Sequence, residues 1–162
     1  MTMYPTKNGF PEKSRIQIIA LLQQHLADSS DLMMQAKQAH WNVKGPSFIA
    51  LHELFDKISE DTEEYVDLLA ERIVQFGGIA EGTTRAVAKR SSLPEYPLTI
   101  TQGKEHVQAL ATALAHYGDR ARQAINQSDE MGDKDTADIF TGISRGVDKY
   151  LWFVEAHLHA EK

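Results

Sequence analysis

The chain of 162 residues contains no cysteine. That absence removes disulfides, thiolate-held zinc and cysteine nucleophiles together. It fits a cytoplasmic protein. No apolar run approaches the roughly eighteen residues of a membrane-spanning helix, so no membrane partner is expected. The first fifteen residues lack the apolar core of a signal peptide. No segment alternates apolar and polar residues as a half-buried strand would. Basic residues are scarce, and the formal net charge is −6. A general nucleic-acid-binding domain is more often basic, whereas a protein that gathers cations is more often acidic. Glu-x-x-His occurs nowhere in the sequence. Through that spacing helical bundles build a di-iron centre inside one chain, so a metal site here must be made differently.

What is present reads as helix. Hydrophobic residues at 42% and charged residues at 25% are ordinary for a globular protein, and the length suits one domain. Residues 1–13, with Pro5, Gly9 and Pro11, read as a flexible tail, followed by a single domain over 14–162. Ser14 with Gln17 resembles a capping box. Ile16, Ile19, Ala20, Leu22, Leu26, Ala27, Met33 and Met34 then recur at helical spacing to about His40. Gly45-Pro46-Ser47 is a turn. A second helix spans about 48–76, with Leu51, Leu54, Phe55, Ile58, Tyr65, Leu68, Leu69, Ile73 and Phe76 as its apolar face; Gly77-Gly78 stops it. Residues 79–98 form the longest connection and hold one short helix over 83–91. A third helix covers about 101–127, with Thr99 and Gln102 as its capping pair, and a fourth covers about 134–159. Ile139, Phe140, Ile143, Val147, Tyr150, Leu151, Val154 and Leu158 mark the buried side of the fourth. The expected fold is all-α: four long helices with a small extra helix in the crossover between the second and third.

The chemistry concentrates on the second helix. His52 with Asp56 and Asp67 with Glu71 are each spaced i, i+4, so each pair shares a face. The eleven residues from Asp56 to Asp67 make nearly three turns and put both pairs on one broad stripe. At about 1.5 Å per residue the pairs stand roughly 16 Å apart. No single ion touches both from one helix. Two copies of the helix running antiparallel across a two-fold axis would bring one chain's His52/Asp56 to the other's Asp67/Glu71. His40 closes the first helix just before a tight turn and can join His52 and Asp56. Two imidazoles with three carboxylates suit iron, manganese or zinc. Taken alone, each acid is equally a solvated helix face and each histidine a cap or core hydrogen-bonder.

The stretch Ala39-His40-Trp41-Asn42-Val43-Lys44-Gly45-Pro46-Ser47-Phe48 is followed by Leu51-His52-Glu53-Leu54-Phe55-Asp56, by Asp67 and Ala70-Glu71-Arg72, and by Gly77-Gly78. Together these resemble the Dps family of ferritin-like mini-ferritins. Asp138-Ile139-Phe140 and Leu151-Trp152-Phe153-Val154-Glu155-Ala156-His157 resemble that family's last helix. The resemblance covers nearly all the chain after the tail. It implies a ferritin-like four-helix bundle assembled as a homo-dodecameric shell, with ferroxidase sites at two-fold interfaces. His40, His52 and Asp56 would come from one subunit and Asp67 and Glu71 from its mate. Ferrous iron would be oxidised there, by hydrogen peroxide in preference to oxygen, and stored as ferric mineral, which protects DNA chemically. Trp41 is either an electron donor beside the site or a packing residue, as is Trp152. Asp129, Asp133 and Asp138 either line an acidic three-fold pore or serve the dipole at the start of the last helix. Glu60, Asp61, Glu63 and Glu64 either face the cavity or are solvated. The family's DNA-binding members use a lysine-rich tail. Here the tail region offers only Lys7, Lys13 and Arg15 against Glu12, so direct DNA binding is expected to be weak. The alternative is a nucleoid-associated DNA-binding protein with a secondary iron site.

Overall fold

The computed structural model describes residues 3–159. The final residues 160–162 and the first two residues of the tail, both part of the sequence reading above, lie outside that range. Five helices make up the fold: α1 (Glu12–Asn42), α2 (Phe48–Gln75), α3 (Thr84–Arg90), α4 (Gly103–Glu130) and α5 (Lys134–Ala156). One isolated bridge, Lys44 with Gln102, is the only strand-like pairing among the described residues.

Short connections force antiparallel neighbours, and α1 packs along α2 and α4 along α5. Gly45, at φ 113°, lets the α1–α2 turn close. The crossover from α2 returns to the end where α2 began, because Gly103 N–H donates to Lys44 O at 3.2 Å. So α2 and α4 run parallel, and the four long helices form the bundle of ferritin-like folds. Ile19, Leu22, Leu26, Phe55, Ile58, Leu69, Ile73, Leu110, Leu114, Tyr117, Phe140 and Val147 are fully or almost fully buried at its centre. Among the described residues, no helix is long and apolar enough to cross a membrane.

Several boundaries differ from the sequence reading. α1 begins at Glu12 with Pro11 before it, ahead of Ser14; proline's fixed φ suits a helix start. The box at the head of α4 is Gln102 with Glu105, not Thr99 with Gln102: Glu105 accepts from Gln102 N–H at 3.0 Å and Thr101 N–H at 3.2 Å. α5 gives way to a turn at His157. Ile16, Met34 and Leu68, expected inside, are 38%, 48% and 47% exposed, which leaves an apolar strip on the outer side of α1 and α2.

The polar side of α1 is not solvated either. Gln23, Asp28 and Gln35 are buried, and with Gln24 and Asp31 they hold the crossover. Gln23 Nε2 donates to Ile79 O at 2.5 Å, Gln24 Nε2 to Arg90 O at 2.9 Å and Gln35 Nε2 to Pro94 O at 3.0 Å. Asp28 accepts from Ser92 N–H at 2.7 Å and from Arg120 Nε at 3.2 Å.

Candidate metal centre

His40 on the last turn of α1 and His52 on the second turn of α2 face each other across the Gly45 turn. Their rings stack with centroids 3.7 Å apart. His40 Nδ1 bonds His52 O at 2.8 Å, and His52 Nδ1 bonds His40 O at 2.9 Å. A carbonyl oxygen only accepts, so each Nδ1 carries a proton and Nε2 is the ring nitrogen left free of the protein. Histidines that bind metals are commonly fixed in this way, the distal N–H on a backbone carbonyl and the other nitrogen free for the ion. Asp56, one turn beyond His52, lies 3.9 Å from His40 Nδ1. Phe48 leans on the His52 ring at 5.0 Å.

Sequence reasoning missed Lys37. Its ammonium is bonded to the Asp56 carboxylate. That bond, assisted by the two imidazoles, holds the Asp56 carboxyl below its usual range against a smaller desolvation effect. The signal was there to read: Lys37 precedes His40 by one turn and shares its face.

Asp67 and Glu71 are exposed further along α2. Among the described residues, no three His, Asp or Glu side chains of one chain converge to hold a metal ion. The five expected ligands therefore fall into two groups, His40/His52/Asp56 at the α1–α2 turn and Asp67/Glu71 further along α2. Exposed apolar residues accompany them: Trp41 at 60%, Leu68 at 47% and Val74 at 58%. Trp41 is thus no core residue of its own chain.

The other expected sites fare unequally. Asp133 is 1% exposed. It caps α5 through Thr136 N–H at 3.1 Å and binds Arg72 Nη2 at 2.8 Å. Its carboxylate is turned inward onto the buried guanidinium and sits at the head of α5, the second of the two roles expected for it. Asp129 is exposed and bonded to Lys134; Asp138 is exposed. On the first turn of α1, the half-buried Arg15 donates its guanidinium to Phe10 O at 3.1 Å and Phe76 O at 2.8 Å. Lys7 and Lys13 remain exposed. The tail also meets the bundle through Tyr4 N–H on Gly77 O at 2.7 Å and Phe10 against Phe76. Asp61 is engaged by Lys57 at 2.6 Å and by the Tyr150 hydroxyl.

Comparison with known proteins agrees with this fold. Residues 19–162 match the ferritin-like domain family. The chain is 44% identical over 158 residues to the "DNA protection during starvation protein" of Agrobacterium fabrum, covering 98% of each chain. It is 31% identical over 152 residues to the protein of that name from Mycolicibacterium smegmatis, covering 94% of this chain and 82% of the other. Among solved structures, Mycobacterium smegmatis Dps superposes with a TM-score of 0.92 at 31% identity, over 99% of this chain and 91% of that one. Dps from Microbacterium arborescens, solved in a high iron form, gives 0.84 at 32% identity, over 96% and 99%.

Proposed function

The chain belongs to the Dps family of ferritin-like proteins, and from that membership we propose that it is a ferroxidase and iron-storage protein. It takes Fe(II) as substrate, oxidises it with hydrogen peroxide in preference to oxygen, and keeps the Fe(III) product as mineral inside a homo-dodecameric shell. It is cytoplasmic, and it protects DNA by consuming the reagents that damage it.

One observation carries this reading: the reciprocal His40–His52 pair beside Asp56 on the side of α2 that also bears Asp67 and Glu71. Two-fold pairing of α2 with a second copy completes two nitrogen and three oxygen donors, a set suited to ferrous and ferric iron. The imidazoles bind through Nε2, held in orientation by the opposing carbonyls. Lys37 occupies Asp56 until a cation displaces it, so the carboxylate stays ionised and oriented. Two ferrous ions each give one electron to one peroxide, the O–O bond breaks, and two protons complete two waters. Delivering the electrons as a pair avoids hydroxyl radical. The ions supply the redox chemistry; the protein supplies placement and negative charge.

The test is anaerobic loading of metal-free protein with Fe(II), then hydrogen peroxide, following ferric absorbance and the iron retained in solution. Oxidation faster than in buffer, with soluble iron, and slowed by Asp56→Ala and by Glu71→Ala, is expected. Oxidation no faster than in protein-free buffer would overturn the reading.

A further inference from the structure

Several cations of this acidic chain are spent on partners. Lys37, Lys57, Arg72, Arg90, Arg120, Arg122 and Lys134 meet carboxylates, and Arg15 caps backbone carbonyls. The short helix α3 departs from this pattern. Arg85 and Lys89 are spaced i, i+4 on it, are exposed, and meet no carboxylate among the described residues. Like charges one turn apart oppose helix formation, and α3 has only seven residues and buries none of them.

The two cations stand at a cleft of about 580 Å³ between α3 and α1, lined also by Gln24, Thr83, Glu81 and Arg90. Arg90 gives Nη2 to Glu81 at 2.5 Å, yet its Nη1 is buried with no hydrogen-bond partner among the described residues. A buried, charged donor without an acceptor is costly. Three cations against one carboxylate leave two positive charges uncompensated. Both ends of α3 are tied to α1. Ahead of α3, Glu81 N–H donates to Gln23 Oε1 at 3.1 Å. After it, Ser91 Oγ donates to Asp31 at 2.5 Å and Ser92 N–H to Asp28 at 2.7 Å. The backbone that carries the cations is therefore fixed to α1 before any ligand arrives.

We propose that the α3 cleft binds a phosphate group. A phosphate monoester or orthophosphate carries about −1.5 to −2 charges near neutral pH, which matches the surplus. The Arg85 fork and the Lys89 point charge supply complementary donors, and the Arg90 charge adds to the attraction. The same chemistry is offered by free orthophosphate and by the phosphodiester backbone of DNA. This site is independent of the iron centre.

Two arms use the metal-free, full-length assembled protein at low ionic strength. In the first, orthophosphate is titrated and followed by calorimetry. In the second, a short DNA duplex is titrated over a series of salt concentrations. Each is repeated with R85A/K89A, which places good helix formers at two exposed positions and is checked for helix content and assembly size. Saturable orthophosphate binding that weakens at least tenfold in the variant supports the site with free phosphate as its source. Duplex binding whose log–log salt slope falls by about 0.9 for each phosphate contact removed supports it with DNA as its source. Binding of neither, or binding equal in the two proteins, overturns it. So does a change in assembly size alone, which would assign Arg85 and Lys89 to contacts between copies.

Discussion

His40 and His52 each bond the other's backbone carbonyl, at 2.8 and 2.9 Å. The anchor of each ring is thus main chain and survives loss of the opposing side chain. His40→Ala is expected to remove one ligand and leave His52 oriented. Affinity for Co(II), read from its visible absorption under anaerobic conditions, should fall by at least the roughly 10- to 100-fold that even an outer-shell partner commands. Helix content should stay unchanged. Unaltered Co(II) affinity would exclude His40 from the metal set.

Lys37 holds the Asp56 carboxylate that the proposed metal centre would use. The Asp56 side chain is 34% exposed, so the ion pair is screened and contributes at most about 1 kcal/mol. The carboxyl sits below its unfolded pKa. Its stabilisation is present above that unfolded value and is lost as pH falls through the depressed folded one. Lys37→Met should therefore cost about 1 kcal/mol or less at neutral pH and nothing in strong acid. Metal no longer has to displace an ammonium, so Co(II) should bind about two- to fivefold more tightly, the equivalent of that pair energy. Weaker binding would mean that Lys37 holds Asp56 in place rather than competing for it.

The long helices and the His40–His52 approach across the Gly45 turn were legible because apolar periodicity and turn signals are local properties of a sequence. What stayed hidden depends on partners far along the chain. Gln23, Asp28 and Gln35 fasten residues 79–94, whose backbone needs acceptors and donors, and no local pattern in α1 announces it. Asp133 reads as one acid in an acidic turn, and only the approach of Arg72, sixty-one residues earlier, buries it. Ile16, Met34 and Leu68 fit the helical period but fall at the edges of the buried stripe. Lys37 went unread because a lysine near acids is ordinarily a surface charge.

Asp133 and Asp138 should separate cleanly. Asp133→Ala strands the Arg72 guanidinium, 10% exposed, without its nearest carboxylate; the exposed Asp135 at 3.7 Å is a poor substitute. Breaking a buried pair from one side costs about 3–5 kcal/mol. At about 2–4 °C per kcal/mol for a domain of this size, the thermal midpoint should drop by about 10 °C. Asp138→Asn, at an exposed position, should change stability by about 0.5 kcal/mol or less. Any effect of Asp138→Asn on iron uptake would then report on ion entry alone. Equal melting of wild type and Asp133→Ala would remove the ion pair from the account of the α2–α5 junction.

His25 sets an acid limit on the fold. It is buried between Phe140, at 4.6 Å between ring centroids, and Tyr117, at 5.9 Å, and its Nδ1 has no partner among the described residues. Burial first, and the charge of Arg120 second, push its pKa down from 6.5 to about 3. The unfolded chain takes up a proton near 6.5, whereas the folded chain refuses it until about 3. Between those values the unfolded state holds one more proton, so stability falls with acidification by about 1.4 kcal/mol per pH unit from this residue. Above 6.5 and below 3 the residue contributes no slope. His25→Phe keeps an aromatic ring in the same pocket and removes the titration. Urea unfolding at pH 7, 5.5 and 4.5, at one protein concentration, should show a shallower loss of stability in the variant, by about that slope. Parallel pH profiles for the two proteins would mean that His25 is protonated in the folded state, with the orphaned Nδ1 finding a partner on charging.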